Sequence, residues 1–348
     1  MTDVVIAVPG DLSSRTGGYL YDARVLTELA ARRRAATALS LPERLPHPRG
    51  DDVREALRRL AAVPRGAALF VDGLAFGVLP PDKLRALGRP LGALVHHPLA
   101  LETGLSPNLA SKLEASERAA LEVADVVVAT SLTTAGILRE RFGVAADKLH
   151  VAEPGVEPAP RAAGGANGVC VILTVATVTP RKNHAMLAAA LGRLKDHSWR
   201  WRIAGSLSRD PALVDALVRQ IEAVGIAERT DLLGEIGSAA LAAEYDRADL
   251  FALPSRFEGY GMAYVEALAR GLPVISGVGG ASAATVPHAA GAVVDADDSE
   301  AIEAALRRLI GDPVARRAAS DAAWDHARTL SRWTATADVF EAAAARLA

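Results

Sequence analysis

Short unbroken apolar runs alternate along the chain with stretches whose apolar residues recur every three or four positions. The first half has such runs at 4–8 (VVIAV), 67–73 (AALFVDG), 91–97 (LGALVHH) and 125–130 (DVVVAT). A glycine turn at Gly17-Gly18 separates the first run from a helical stretch at 19–33. Continuous apolar strands with helices between them predict a parallel sheet covered on both faces. The segment "VEPAPRAAGGANG" (156–168) breaks the rhythm and reads as a linker. The rhythm restarts with runs at 169–175, 199–206, 230–235, 249–255, 273–277 and 291–295. The tail beyond Asp312 is helical and ends in an alanine-rich helix at 333–347. The pattern predicts an α/β protein of two Rossmann-like domains, at 1–160 and 168–325. A C-terminal helical region at 326–348 is expected to pack back toward the first domain. Two parallel sheets joined by a linker leave a cleft, and ligands of such sheets sit in the loops that follow the strands.

Composition narrows the classes. A chain of 348 residues is long for one core. A net charge of -2 offers no long-range attraction to nucleic acid or anionic lipid. One cysteine, Cys170, allows no internal disulfide and suits a reducing compartment. The start lacks the basic region and apolar length of a signal peptide, and no stretch is long enough to span a bilayer. A cytoplasmic protein is expected. The run Arg32-Arg33-Arg34 closes the first helix, where positive charge complements the dipole, and is also the place for a weak peripheral membrane contact.

The chemistry gathers in "SRFEGYGMAYVEALARGLPVIS" (255–276). A helix at 262–270 is predicted between two strands, stopped by Gly271 and Pro273. Gly259 and Gly261 leave the preceding turn bare, so a ligand can approach its backbone around Tyr260 and Met262. Amide groups at a helix start suit a phosphate. Glu258 and Glu266 would repel that phosphate, and more plausibly accept hydrogen bonds from hydroxyl groups. A phosphate flanked by hydroxyls on both sides describes a nucleotide sugar. The plainer alternative for the isolated pair is one capping and one solvated glutamate. In "TVTPRKNHAML" (177–187), Asn183 is a natural helix cap, and it sets Arg181 and Lys182 at a helix start where phosphate can be gripped. His96 and His97 stand at a strand's carboxyl end and point opposite ways, so one at most faces the cleft. No G-x4-G-K-[ST] stretch and no zinc-spaced Cys/His cluster occurs. Gly277-Val278-Gly279-Gly280 lacks the third glycine of a dinucleotide fingerprint, and "DADD" (295–298) reads as the N-cap of a helix starting near Ser299 rather than a metal site.

Together these stretches resemble glycosyltransferase family 4, retaining enzymes of the GT-B fold. "LPSRFEGYGMAYVEALARGLPVIS" looks like that family's signature, with Glu258 and Glu266 filling its Glu-x7-Glu pair. "VTPRKNH" is similar to its basic donor-phosphate loop, and "LLGEIGSAALAAEYDRADLFALPS" matches in spacing. "TGGYLYDARVLTEL" resembles its glycine loop on the acceptor side, which implicates Gly17 and Gly18, and "VHHP" its histidine strand end. The resemblance implies that Glu258 contacts the transferred sugar and Glu266 the ribose. It gives Arg181, Lys182 and the amides near Gly259–Met262 the diphosphate. His96 fits the family's cleft histidine best, with His97 the alternative. Two departures concern donor identity rather than activity: Ala176 stands where many members have arginine, and "GGASAATV" (279–286) where many have Pro-Glu. The implied reaction moves a hexose from a nucleoside-diphosphate sugar to an acceptor hydroxyl with retained configuration. It uses no metal and no cofactor beyond the co-substrate. The acceptor is a small molecule or lipid-linked. A sugar-nucleotide epimerase or hydrolase, or a silent nucleotide-sugar binder, are the rival readings.

Overall fold

The computed structural model describes residues 3–12, 16–165 and 168–347. Arg15 of the glycine-loop stretch, and Ala166 and Asn167 of the expected linker, lie outside the described residues. The chain divides into two compact units, Met1–Gly155 with Ser331–Ala348, and Val156–Leu330.

The first unit holds six parallel strands: β1 (Val4–Pro9), β2 (Ala36–Leu41), β3 (Ala68–Asp72), β4 (Gly92–Val95), β5 (Val126–Ala129) and β6 (Leu149–Val151). Their order across the sheet is β2-β1-β3-β4-β5-β6. Every residue of β3, β4 and β5 is buried, as a sheet covered on both faces requires. β2 and β6 were not visible as apolar runs. They form the two edges, where "ATALSL" is half-buried or exposed except at Leu41 and "LHV" spans only three residues. The first helix, Gly17–Ala31, buries Tyr21, Val25, Leu26 and Leu29. It begins two residues before the expected 19–33, because the Thr16 hydroxyl accepts from the Tyr19 amide and both glycines enter the first turn. The last helix, Trp333–Ala345, belongs to this unit and sets Phe340 against Phe70 at 5.4 Å. The arginine run closes the first helix as expected, with Arg32 as its C-cap. The helix stops at Ala31, and Arg32 reaches Asp338 at 2.6 Å and Glu341 at 3.1 Å, while Arg34 reaches Glu341 at 2.8 Å. Two of its three guanidiniums are thus committed to the last helix.

The second unit repeats the plan with β7 (Cys170–Val175), β8 (Trp199–Ala204), β9 (Thr230–Gly234), β10 (Leu250–Leu253), β11 (Val274–Gly277) and β12 (Gly291–Val294). All pairs are parallel, in the order β12-β11-β10-β7-β8-β9. The order reverses at β7, so the loops leaving β7 and β10 lie side by side at the switch point where such sheets bind ligands. The described part of 156–168 is strapped to this unit. Ala162 N donates to Arg270 O, Gly164 N to Asp246 O, and Arg161 Nη2 to the Ser320 hydroxyl. Among the described residues, no helix is long and apolar enough to cross a membrane.

Candidate functional site

In the second unit, the loop after β10 brings Glu258 to the two basic residues after β7. Lys182 Nζ lies 2.6 Å from Glu258 Oε1, and Arg181 Nη1 lies 3.3 Å from Oε2. Arg181 Nη1 also donates to Phe257 O at 2.7 Å. Glu258 is buried, which on its own raises the pKa of a carboxyl group. Lys182 and Arg181 outweigh that burial and hold the pKa near 2. The three groups form one ionised cluster, closer than the separate carboxylate and phosphate grips expected from the sequence.

Three features fix this cluster. Arg256 N donates to Arg181 O, tying the two loops together. Asn183 stands at the start of helix His184–Gly192 in a left-handed conformation (φ 61°), but its side chain does not cap that helix. It donates instead to Pro254 O at 3.1 Å and Ala296 O at 2.6 Å, pinning the end of β10. The glycine run after β11, which failed as a nucleotide fingerprint, has a packing role. A Cβ at Gly279 would sit 1.8 Å from Arg256 O, and one at Gly280 2.1 Å from Glu258 O. Only glycine lets the two loops meet here, where Glu258 N donates to Gly279 O and Glu258 O accepts from Ala281 N. In "DADD", Asp298 caps helix Ser299–Gly311 and Asp297 pairs with Arg256 at 2.8 Å.

Glu266 lies on the short helix Met262–Leu268, two residues shorter than expected. It is half-buried and accepts a hydrogen bond from the Tyr245 hydroxyl at 2.9 Å. Its pKa is raised by burial, against the lowering effects of Tyr245 and Arg270. Tyr245 stacks near Phe251 and carries the Arg270 guanidinium 4.5 Å over its ring. Nothing in the local sequence marks Tyr245, which reaches Glu266 only because their two helices are neighbours in the fold. Gly261 is required for a reason other than openness. It takes φ +96°, and a Cβ there would strike the Tyr264 ring at 2.3 Å. Gly259 and Tyr260 are half-buried in the turn, Tyr260 O accepts from the Thr285 hydroxyl, and Met262 opens the helix.

In the first unit, His96 follows β4. Its Nε2 lies 3.1 Å from Asp22 Oδ1 and 3.4 Å from Asp72 Oδ2. Both aspartates are fully buried. Asp72 is held in place by accepting from Leu74 N at 2.7 Å. The Tyr21 ring meets the imidazole edge-on at 5.2 Å, and Gly18 packs so closely that a Cβ would lie 3.2 Å from His96 Cδ2. Gly17 has nothing within 4 Å of such a Cβ. Burial lowers the His96 pKa, but the two carboxylates outweigh it and raise it to about 10, while burial lifts Asp22 to about 6. His97 points elsewhere, with Nδ1 2.8 Å from Pro98 O and Nε2 3.1 Å from Glu102. Neither Asp22 nor Asp72 is marked as a site residue by its local sequence. Each stands alone in the sequence, and only the adjacency of β1, β3 and β4 brings them to His96.

The model of the glycosyl transferases group 1 matches residues 160–325, and that of glycosyltransferase family 4 matches residues 21–159. The chain belongs to the family 4 glycosyltransferases. It is 30% identical over 227 residues to the D-inositol 3-phosphate glycosyltransferase of Segniliparus rotundus, covering 62% of this chain and 50% of that protein. It is 33% identical over 216 residues to the GDP-mannose-dependent alpha-(1-6)-phosphatidylinositol monomannoside mannosyltransferase of Mycolicibacterium smegmatis, covering 57% and 55%. The matched stretches thus span about half the length of these curated relatives. Sucrose-phosphate synthase from Thermosynechococcus elongatus shares the fold with a TM-score of 0.80, at 19% identity and 97% coverage of both chains. Each unit is Rossmann-like, and the fold is GT-B.

Proposed function

We propose that this family 4 member is a retaining, metal-independent hexosyltransferase that moves a sugar from a nucleoside diphosphate to an acceptor hydroxyl. The observation that carries the reading is the Glu258–Lys182–Arg181 cluster at the exits of two adjacent parallel strands. Two cations beside one buried carboxylate can serve a ligand that carries both diphosphate and hydroxyl groups. Lys182 and Arg181 take phosphate oxygens, and Glu258 keeps its shape by pairing with the same cations while accepting from sugar hydroxyls. Glu266, oriented by Tyr245, accepts from the ribose through Oε1, which has no partner among the described residues. His96, in the first unit, is assigned to the acceptor.

The chemical difficulty is the departing diphosphate, which gains negative charge as its bond to the sugar breaks. Preorganised cations stabilise that charge and supply what a metal ion supplies elsewhere. The acceptor oxygen bonds to the anomeric carbon on the face the phosphate leaves, and the acceptor proton passes to a departing phosphate oxygen. The names of the relatives support a nucleotide-sugar donor and a polar alcohol, free or lipid-linked, as acceptor.

The test is a panel of nucleoside-diphosphate hexoses with candidate alcohols in a chelator, following nucleotide release and the anomeric NMR signals of the product. Acceptor-dependent release with retained configuration is expected. Release that needs no acceptor would indicate a hydrolase, and donor binding without release would indicate a silent binder. Inverted product, or loss of transfer on chelation, would overturn the mechanism.

A further inference from the structure

The imidazole of His96 is approached by two carboxylates at one nitrogen, Nε2, at 3.1 and 3.4 Å. Both belong to residues with essentially no exposed surface; Asp22 meets the ring through Oδ1, and neither Asp22 Oδ2 nor Asp72 Oδ2 has a hydrogen-bond partner among the described residues. Two buried acidic groups need a positive charge, because solvent cannot screen them. The imidazole is the cation within reach. Its second nitrogen, Nδ1, has no partner among the described residues, and the side chain is 23% exposed. The ring is held in this orientation by Gly18 on one side and by the Tyr21 ring edge.

We propose that Asp22 and Asp72 are positioning residues that keep His96 as an imidazolium, so that Nδ1–H is a fixed hydrogen-bond donor to a ligand oxygen and not a proton acceptor. The ion pairs also work against loss of the proton across the neutral range, since burial alone would favour the uncharged ring but the paired carboxylates win. The charged groups that face the ring are Asp22 from the first helix and Asp72 from β3, and the titratable Tyr21 contributes only its ring edge, its hydroxyl donating to Ala152 O at 2.7 Å. The consequence for the reaction is specific. If His96 cannot take a proton, it is not the base that removes the acceptor proton. This part rests on the transferase reading; the charge state of the ring does not.

The test is nitrogen NMR on full-length protein with labelled histidine, with the His96 signals identified by their loss in His96→Gln. In the parent protein at pH 7, both ring nitrogens of His96 are expected to show protonated shifts, and to stay protonated up to about pH 9. In Asp22→Asn and Asp72→Asn, each checked for native circular dichroism, the midpoint should fall by about 1–3 pH units. Asparagine keeps the shape, so a merely structural role would leave the midpoint unmoved. One unprotonated ring nitrogen in the parent at pH 7 overturns the proposal. So does displacement of the Nε2 proton by added zinc, which would make the three side chains a metal site. Absence of transferase activity with an intact imidazolium signal would count against the enzyme reading and leave this assignment standing.

Discussion

Replacing Glu258 by glutamine removes one charge and little volume from the second unit. The carboxylate is buried, touches Lys182 at 2.6 Å and Arg181 at 3.3 Å, and has its pKa lowered from 4.5 to about 2. That difference corresponds to roughly 3 kcal/mol of native-state stabilisation. The folded pKa lies below the unfolded one, so the stabilisation is complete above pH 4.5 and is lost as pH falls through 2. Lys182 and Arg181 are 18% and 20% exposed, so water recovers part of the cost when their partner is neutralised. A loss of about 1–3 kcal/mol at pH 7 is expected for Glu258→Gln. The variant should also lose less stability than the parent between pH 5 and 3. Urea unfolding followed by tryptophan fluorescence reads this unit, since Trp199, Trp201 and Trp324 lie in it and only Trp333 lies in the other. Unchanged stability at pH 7, or the same acid slope in variant and parent, would refute the buried ion pair.

Tyr245→Phe keeps the ring against Phe251 and removes the donor to Glu266. It should weaken nucleoside-diphosphate binding about tenfold by calorimetry while kcat changes little. Gly17→Ala, at the first helical position, should stabilise the first helix by up to about 0.5 kcal/mol, whereas Gly18→Ala should gain less, because its Cβ would lie 3.2 Å from His96. Melting curves of the two variants separate them. Glu117 is buried, accepts from Leu99 N and Ala100 N, and has a pKa that burial raises to about 7. Its folded pKa lies above its unfolded one, so the parent loses stability as pH rises from 4.5 to about 7. In Glu117→Gln that loss should be absent, as the difference in unfolding free energy between pH 5 and pH 8 would reveal.

The fold was legible because buried parallel strands must be apolar along their whole length. The same rule hid β2 and β6, the edges of the first sheet, where one is largely exposed and the other three residues long. Glu258, Lys182 and Arg181 could be named because each sits beside a strand end. Their direct pairing could not, since it depends on β7 and β10 being neighbours. Asn183 reads as a helix cap in any local window, yet its amide spans two other loops. The glycines at 279 and 280 have no meaning until the exit loops of β10 and β11 are seen to touch through their backbones. Asp22, Asp72 and Tyr245 were out of reach for the same reason, because each acts on a residue far away in sequence.

The account turns on Lys182 and Arg181 gripping a diphosphate beside Glu258. Calorimetric titration of nucleoside diphosphates into the parent protein, Lys182→Ala and Arg181→Ala tests it most directly. The parent is expected to bind at least one nucleoside diphosphate in the presence of a chelator, and each variant to bind it about 10- to 100-fold more weakly, the loss of one charge-assisted contact. No binding by the parent, or equal affinity in all three proteins, would contradict the account.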